Sequence, residues 1–382
     1  MPNYISLFSC AGVGCYGFLK AGYGCIATNE LIASRLAVQR LNNKCKYDTG
    51  YIDGDITVQA TKDAILTEIN RWRNVEDIKT IDVVVATPPC QGISCMNLKK
   101  SDEQQRNSLV VEAIKMILII QPRFFVIENV RAFMKTTCTD MDGKTKSIAD
   151  ALTDNLAKNY EIAYRVLNFK DYGVPSSRTR TLVIGVHKGI PIKPDVLFPQ
   201  EQAEITLREA IGDLPSLSYG EISAADIYHY ARVYPEYMRD WFTGLREGAS
   251  MMENDVAHRP YKLVHGKREE LKCATTVGDK FRRLCWNKPA PCIHTRSDCL
   301  GSQSTIHPRD DRVLSIRELM HVMTVPDDFK WVSGEDVVQD KVAFLKKHDL
   351  NIRRCLGEAV PTYIIEQIAL NIKAAMPQGC TL

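Results

Sequence analysis

Four short segments of the chain carry side chains able to do chemistry on a ligand. Thr87-Pro88-Pro89-Cys90-Gln91-Gly92-Ile93-Ser94 follows the apolar run Ile81–Ala86. Two prolines fix the turn and hold the Cys90 thiol in a set direction. Only about a few per cent of a free thiol ionises at neutral pH, but the thiolate is a strong nucleophile. For Cys90 taken alone, an inert buried cysteine is the plainer reading. In the second segment, Arg123–Ile127 runs into Glu128-Asn129-Val130. An acid directly after such an apolar run is either a helix cap or a functional carboxylate. The third is Asp171–Arg180, in which Arg178 and Arg180 alternate with Thr179. An extended chain would point both arginines to one face, although a solvated basic edge strand explains the pair by itself. In the fourth, Tyr4–Phe8 leads into Ser9-Cys10-Ala11-Gly12-Val13-Gly14-Cys15-Tyr16-Gly17, with Glu30 18 residues after Gly12. A strand, a glycine turn and then a helix let backbone N–H groups approach a nucleotide-like cofactor, and an acid after the next strand suits ribose hydroxyls. This loop alone does not separate a dinucleotide from S-adenosylmethionine, and simple turn chemistry also fits it.

The elements that must carry these residues alternate in type. Strands are expected at Tyr4–Phe8, Cys25–Thr28, Ile81–Ala86 and Arg123–Ile127, with helical patterns at 32–41, 58–72 and 108–120. Such alternation predicts an α/β fold with a doubly wound, Rossmann-like parallel sheet, and it places Cys90 and Glu128 at the carboxyl, ligand-binding edge. Two further strands, 161–169 and 181–187, read as an antiparallel hairpin closing the sheet. From residue 190 the pattern is broken by Pro191, Pro194 and Pro199, and helical periodicity resumes at 315–323 and 360–375. The expected division is a cofactor-binding and catalytic domain over 1–189, a small irregular domain over 190–305, and a return over 306–382 with the last helix completing the cofactor site.

The 382 residues allow one large and one smaller domain, and 45% hydrophobic with 25% charged residues is an ordinary globular balance. No apolar run approaches the roughly 18 residues of a membrane span, and Met1–Ile5 lacks the features of a signal peptide. The 13 cysteines are scattered without a C-x-x-C pair, which reads as reduced cytoplasmic thiols and not as a disulfide scaffold or zinc site, despite the seven-residue spacing of Cys285, Cys292 and Cys299. No metal is expected. A net charge of +3 permits a polyanionic partner without demanding one. Locally the signal is stronger. Between Val256 and Arg283 stand Arg259, Lys262, Lys267, Arg268, Lys272, Lys280, Arg282 and Arg283 against Glu269, Glu270 and Asp279, with aromatic rings among them. Basic residues interleaved with rings suit phosphate and base-edge contacts, though a solvated loop surface would look similar.

In this order, the segments resemble the signature motifs of the bacterial and phage DNA cytosine-5 methyltransferases. The resemblance starts at Leu7-Phe8-Ser9 and takes in Gly54-Asp55-Ile56, Pro89-Cys90-Gln91, Glu128-Asn129-Val130 and Arg178-x-Arg180. It continues through Arg283-Leu284, Lys288-Pro289-Ala290-Pro291, Ile306-His307-Pro308, Asp311–Glu318, Pro326–Phe329 and Gly357–Pro361. Only about 190–280 falls outside it, where the family carries its variable target-recognition domain. The resemblance implies an S-adenosylmethionine-dependent methyltransferase sheet that methylates carbon 5 of cytosine in a specific short double-stranded DNA sequence and releases S-adenosylhomocysteine. The target base would be flipped out of the duplex. Cys90 would add to carbon 6, Glu128 would bind ring nitrogen 3 and the amine, Arg180 would hold base and carboxylate, and Arg178 and Gln91 would support them. Cofactor contacts would come from Phe8, Ala11, Gly12, Glu30, Leu31, Asp55, Ile56, Pro89, Leu109, Glu358 and Val360. DNA contacts would come from Ser94, Arg259, Lys262, Lys267, Arg268, Lys280, Arg282 and Arg283.

Cys10 and Val13 stand where the family usually has glycine, Ser176 where it has glutamine, and Glu358 where it commonly has asparagine. A restriction endonuclease is a possible cellular partner, and a monomer is expected because one flipped base needs one chain. Competing readings are methylation of transfer RNA, a nicotinamide oxidoreductase, which leaves Cys90, Glu128 and Arg180 unexplained, and a DNA-binding protein that has lost catalysis.

Overall fold

The computed structural model describes residues 1–89, 108–271, 280–301, 303–334 and 341–376. Cys90, Gln91 and Ser94, and Lys272 and Asp279 of the basic segment, lie outside that set.

The apolar runs form the sheet. Strands β1 (Asn3–Leu7), β2 (Gly24–Glu30), β3 (Tyr51–Asp53), β4 (Val83–Ala86) and β5 (Phe124–Val130) are parallel, and β6 (Tyr160–Asn168) and β7 (Thr179–His187) complete it in the order β3-β2-β1-β4-β5-β7-β6. β7 lies antiparallel to both β5 and β6. β4 is buried along its whole length and β5 along all but its last residue, as expected for strands covered on both faces. Helix α3 (Gln59–Val75) buries Ile65, Ile69 and Trp72, and α4 (Leu109–Ile120) buries Val110, Ile114 and Ile117 in the same core. β3 escaped the sequence reading because three residues between turns carry no periodicity.

Two of the three loop glycines are set by packing against the C-terminal part of the chain, Gly14 against Val360 and Gly17 against helix α10 (Thr362–Ala375). A Cβ on Gly17 would lie 2.5 Å from the Glu366 nitrogen and 2.6 Å from the Thr362 carbonyl oxygen. The Thr362 hydroxyl donates to the Val13 carbonyl at 2.9 Å. The first turn of the chain is therefore fastened to its last helix, with Ile364, Ile365, Ile368 and Ile372 buried below.

Two compact units divide the chain: Met1–Tyr172 with Thr179–Glu201 and Ala359–Leu382, and Gly173–Arg178 with Gln202–Glu358. The return to the first unit comes at Ala359 and not at residue 306, because Ile306 and Val313 share a core with Trp241, Phe242, Met251, Phe281 and Leu300. Helix α9 (Lys341–Glu358) was not foreseen. Its buried side carries Asp349 and Arg353, paired at 2.9 Å, which disguise the apolar stripe as a solvated one.

A second buried charge cluster holds the segment before helix α8 (Ile316–Val322). Arg312 donates to Asp310 and Glu318 at 2.7–3.2 Å, and Ser315 and Glu318 form a reciprocal cap. The His307 Nδ1 accepts the backbone N–H groups of Asp310 at 2.9 Å and Arg309 at 3.2 Å, which requires that nitrogen to be unprotonated. Burial, helped by the nearby Arg312 and Arg309, pushes the His307 pKa down to about 4. Its stabilising effect is therefore complete above the ordinary histidine value of about 6.5 and fades as pH falls toward 4. Unfolding free energy should drop by up to ~3 kcal/mol across that window. Denaturant titrations at stepped pH should show this slope in the wild type and not in His307→Asn, whose amide oxygen can still accept the two N–H groups.

Candidate functional site

Glu128 sits near the carboxyl end of β5 and is only 6% exposed. Across the ladder, Leu182 faces Glu128 and Arg180 faces Val130. The pleat thus puts Glu128 and Arg180 on one face as diagonal neighbours, and the Arg180 Nε lies 3.2 Å from Glu128 Oε1. The Arg180 Nη1 donates to the Thr179 carbonyl at 2.8 Å, so the guanidinium is held from two sides. Next to Glu128, the Asn129 amide donates to the Pro88 carbonyl at 3.0 Å. The Thr87 hydroxyl donates to the Phe8 carbonyl at 2.8 Å. The segment that leads into Cys90 is in this way tied both to β5 and to the glycine loop.

Arg178 serves other partners. It is 1% exposed and donates to the carbonyls of Ile293 at 3.1 Å, Gly357 at 3.0 Å and Glu358 at 3.4 Å. The expectation of two arginines alternating on one extended strand is corrected. Ser176–Ser177 forms its own short ladder with Ala290–Pro291, and β7 begins only at Thr179.

The glycine loop is shaped by left-handed residues: Phe8 at φ 56°, Cys10 at 48° and Gly12 at 79°. Such a conformation costs a non-glycine residue about 1–3 kcal/mol and persists only where its surroundings over-determine it. Glu30, at the end of β2, supplies part of that hold. One carboxylate oxygen accepts the Cys10 N–H at 2.8 Å and the other the Ile32 N–H at 3.1 Å, while Arg35 lies 3.7 Å away. Leu31 beside it is 64% exposed. Ala11, Ile56 and Val360 are buried, Asp55, Pro89 and Glu358 are exposed, and Leu109 is half-buried as the first residue of α4. The donor set suits an adenosyl cofactor: a carboxylate braced by two amides with acceptor capacity left on each oxygen, and an exposed aliphatic side chain beside it. Among the described residues no cluster of three or more His, Cys, Asp or Glu could hold a metal.

Residues 3–374 match the C-5 cytosine-specific DNA methylase family. The chain belongs to that family. Among curated relatives, it is 30% identical to the type II methyltransferase M1.HgaI of Avibacterium volantium, over 96% of this chain and 97% of that protein. It is 28% identical to the type II methyltransferase M1.HphI of Haemophilus parahaemolyticus, over 96% and 85% respectively. Similar folds include an E. coli prophage protein described as a DNA modification methyltransferase, at TM-score 0.67 and 18% identity, covering 98% of this chain and 99% of that one. Spodoptera frugiperda DNMT2 superimposes at TM-score 0.60 and 14% identity, covering 98% and 100%. The protein is a DNA cytosine-5 methyltransferase with the Rossmann-like α/β fold of such enzymes, and no helix among the described residues is long and apolar enough to cross a membrane.

The basic segment of this methyltransferase divides into two kinds of residue. Tyr261–Val264 and Lys267–Glu270 form an antiparallel hairpin whose turn, His265-Gly266, has both residues at positive φ, the turn that two-residue hairpin loops favour. Lys262, Lys267 and Arg268 are exposed on it; Lys262 pairs with Glu269 at 2.9 Å and Arg268 lies over the Tyr261 ring. Arg259, Lys280 and Arg282 are half-buried, with Arg259 donating to the Asn254 carbonyl at 2.8 Å and Arg282 lying 3.7 Å from Glu253. Arg283 is different. It is 2% exposed and donates to the carbonyls of His307, Arg309, Asp310 and Phe242 at 2.9–3.0 Å, besides pairing with Asp311. The expectation of a DNA contact at Arg283 is corrected, because the side chain is buried and both terminal nitrogens of its guanidinium are bonded inside the fold. Arg283→Met should lower unfolding free energy by about 3 kcal/mol or more, since it strands four carbonyls and a carboxylate. A denaturation midpoint equal to that of the wild type would contradict this structural role.

Proposed function

We propose that the enzyme transfers a methyl group from S-adenosylmethionine to carbon 5 of a cytosine in a specific short duplex sequence, acting on the base after it has been flipped out of the helix. The observation that carries this reading is the Glu128–Arg180 pair on one face of β5 and β7, beside a chain segment that Asn129 ties down two residues before Cys90. Carbon 5 of cytosine is a poor nucleophile. Addition of the Cys90 thiolate to carbon 6 breaks the 5,6 double bond and places the electron pair at carbon 5, conjugated to ring nitrogen 3. Protonated as the base enters, Glu128 donates its O–H to nitrogen 3 as charge develops there and accepts from the exocyclic amine with its other oxygen, and Arg180 keeps the carboxyl group oriented toward the base. S-adenosylmethionine supplies the methyl group that carbon 5 takes. A base from solvent then takes the carbon 5 proton, and the electron pair it leaves restores the 5,6 double bond as the carbon 6–sulfur bond breaks. Cys90 departs as thiolate, and nitrogen 3 returns its proton to Glu128.

Phe8, Ala11, Gly12, Glu358 and Val360 would hold the methionine end of the cofactor, Glu30 the ribose, and Leu31, Asp55, Ile56, Pro89 and Leu109 the adenine side and its surroundings. Gln91 and Ser94 would face the duplex as the base leaves it. The hairpin with Lys262, Lys267 and Arg268, together with Arg259, Lys280 and Arg282, would meet DNA phosphates and base edges. Arg178 would act at one remove, by fixing the Gly357-Glu358 backbone. The protein would work as a cytoplasmic monomer in a restriction-modification setting, alongside a cognate endonuclease.

Tritiated methyl transfer from S-adenosylmethionine to mixed-sequence duplex DNA tests the reading. Label should appear at cytosine carbon 5 with wild type and vanish with Cys90→Ala, and Glu128→Gln should slow turnover by about 10²-fold or more. Full transfer by Cys90→Ala would reject the covalent route, and label on transfer RNA alone would reject the DNA substrate.

A further inference from the structure

Gln39 lies in helix α2 (Ala33–Leu41), none of whose residues the mechanism above uses, and it is 1% exposed. Its amide is oriented by a chain of donors. The Lys44 ammonium, itself buried, donates to the Thr28 hydroxyl at 2.9 Å, and that hydroxyl donates its single O–H to Gln39 Oε1 at 2.7 Å. With the oxygen so assigned, Nε2 must face the glycine loop. There it donates to the Cys10 carbonyl at 2.6 Å and to Ser9 Oγ at 2.8 Å. The Cys10 N–H is meanwhile held by Glu30 at 2.8 Å. Both peptide groups flanking Cys10 are therefore anchored, one to the β2 carboxylate and one to Gln39. The Gln39 stem also packs beneath Gly12, where an added Cβ would lie 2.9 Å from its Cγ.

This double anchorage falls on the residue that most needs it. Cys10 adopts φ 48° at a position where the resemblance places glycine, and a side chain there biases the free loop toward other conformations. We infer that Gln39, oriented by Thr28 and Lys44, is a positioning residue that locks the Cys10–Gly12 backbone in its cofactor-receiving shape and so offsets the missing glycine. The inference rests on reading Ser9–Gly12 and Glu30 as the S-adenosylmethionine site.

The test is calorimetric binding of S-adenosylhomocysteine to five full-length proteins: wild type, Gln39→Met, Gln39→Glu, Cys10→Gly and the Gln39→Met/Cys10→Gly double variant. Gln39→Met keeps the side-chain volume and should weaken binding about tenfold, the effect of losing two buried hydrogen bonds at the loop. In the Cys10→Gly background the same substitution should cost about threefold or less, because glycine accepts the left-handed conformation without help. Gln39→Glu, which can accept from Thr28 but cannot donate to Cys10, should weaken binding as Gln39→Met does. In steady-state assays, KM for S-adenosylmethionine should rise by a larger factor than kcat falls. Unchanged affinity in Gln39→Met and Gln39→Glu, or an equal loss with and without Cys10→Gly, would overturn the inference while leaving the cofactor reading standing. Failure of the wild type itself to bind would overturn the cofactor reading and the inference together.

Discussion

A carboxylate taken almost wholly out of water at the end of a hydrophobic strand is tenable only with a cation fixed beside it. Glu128 meets that condition through Arg180 at 3.2 Å, and much of the sheet can be understood as the means of delivering that arginine. A parallel seventh strand would run the other way and bring its opposite end to Glu128. Because β7 is antiparallel, its first residues meet the last residues of β5, and a register with Leu182 opposite Glu128 leaves Arg180 one diagonal step away. β6 covers the outer edge of β7 over nine residue pairs, which fixes the register that the pair requires.

A second requirement is that separate chain segments meet at one sheet edge without drifting. Short polar ties do this. Asn129 holds the Pro88 carbonyl, Thr87 holds Phe8, and Glu30 and Gln39 hold the two sides of Cys10. Gly17 allows α10 to approach the glycine loop more closely than any side chain would permit. The glycine pattern thus carries two physical duties: Gly12 supplies a left-handed turn, while Gly14 and Gly17 make room for the C-terminal part of the chain.

Those duties mark what was readable in advance. The doubly wound sheet was legible because β4 and the first four residues of β5 are unbroken apolar runs, and the antiparallel closing strands were legible from their spacing around a loop with glycine and proline. Glu128 and Arg180 were legible as residue types at strand ends. Arg283 was misread as a DNA contact and Arg178 was placed on the same strand face as Arg180, since a sequence shows a charge but not the backbone carbonyls that receive it. Helix α9 was missed for a related reason: its Asp349–Arg353 pair is buried, so polarity no longer marks the solvent side. Gln39 gave no signal at all. Its importance depends on Thr28 and Lys44, which are distant from the loop in sequence and meet it only in the folded unit.

The central claim is that Cys90 bonds covalently to cytosine carbon 6 while Glu128 and Arg180 hold the ring. It is tested most directly by incubating the enzyme and S-adenosylmethionine with a duplex carrying 5-fluorocytosine at the target site, then digesting and mapping the adduct by mass spectrometry. Fluorine cannot leave as a proton does, so the reaction should stop after methyl transfer, with one methylated nucleotide attached through the peptide that contains Cys90. An adduct on a different residue, or methylated product released with no adduct, would contradict the account.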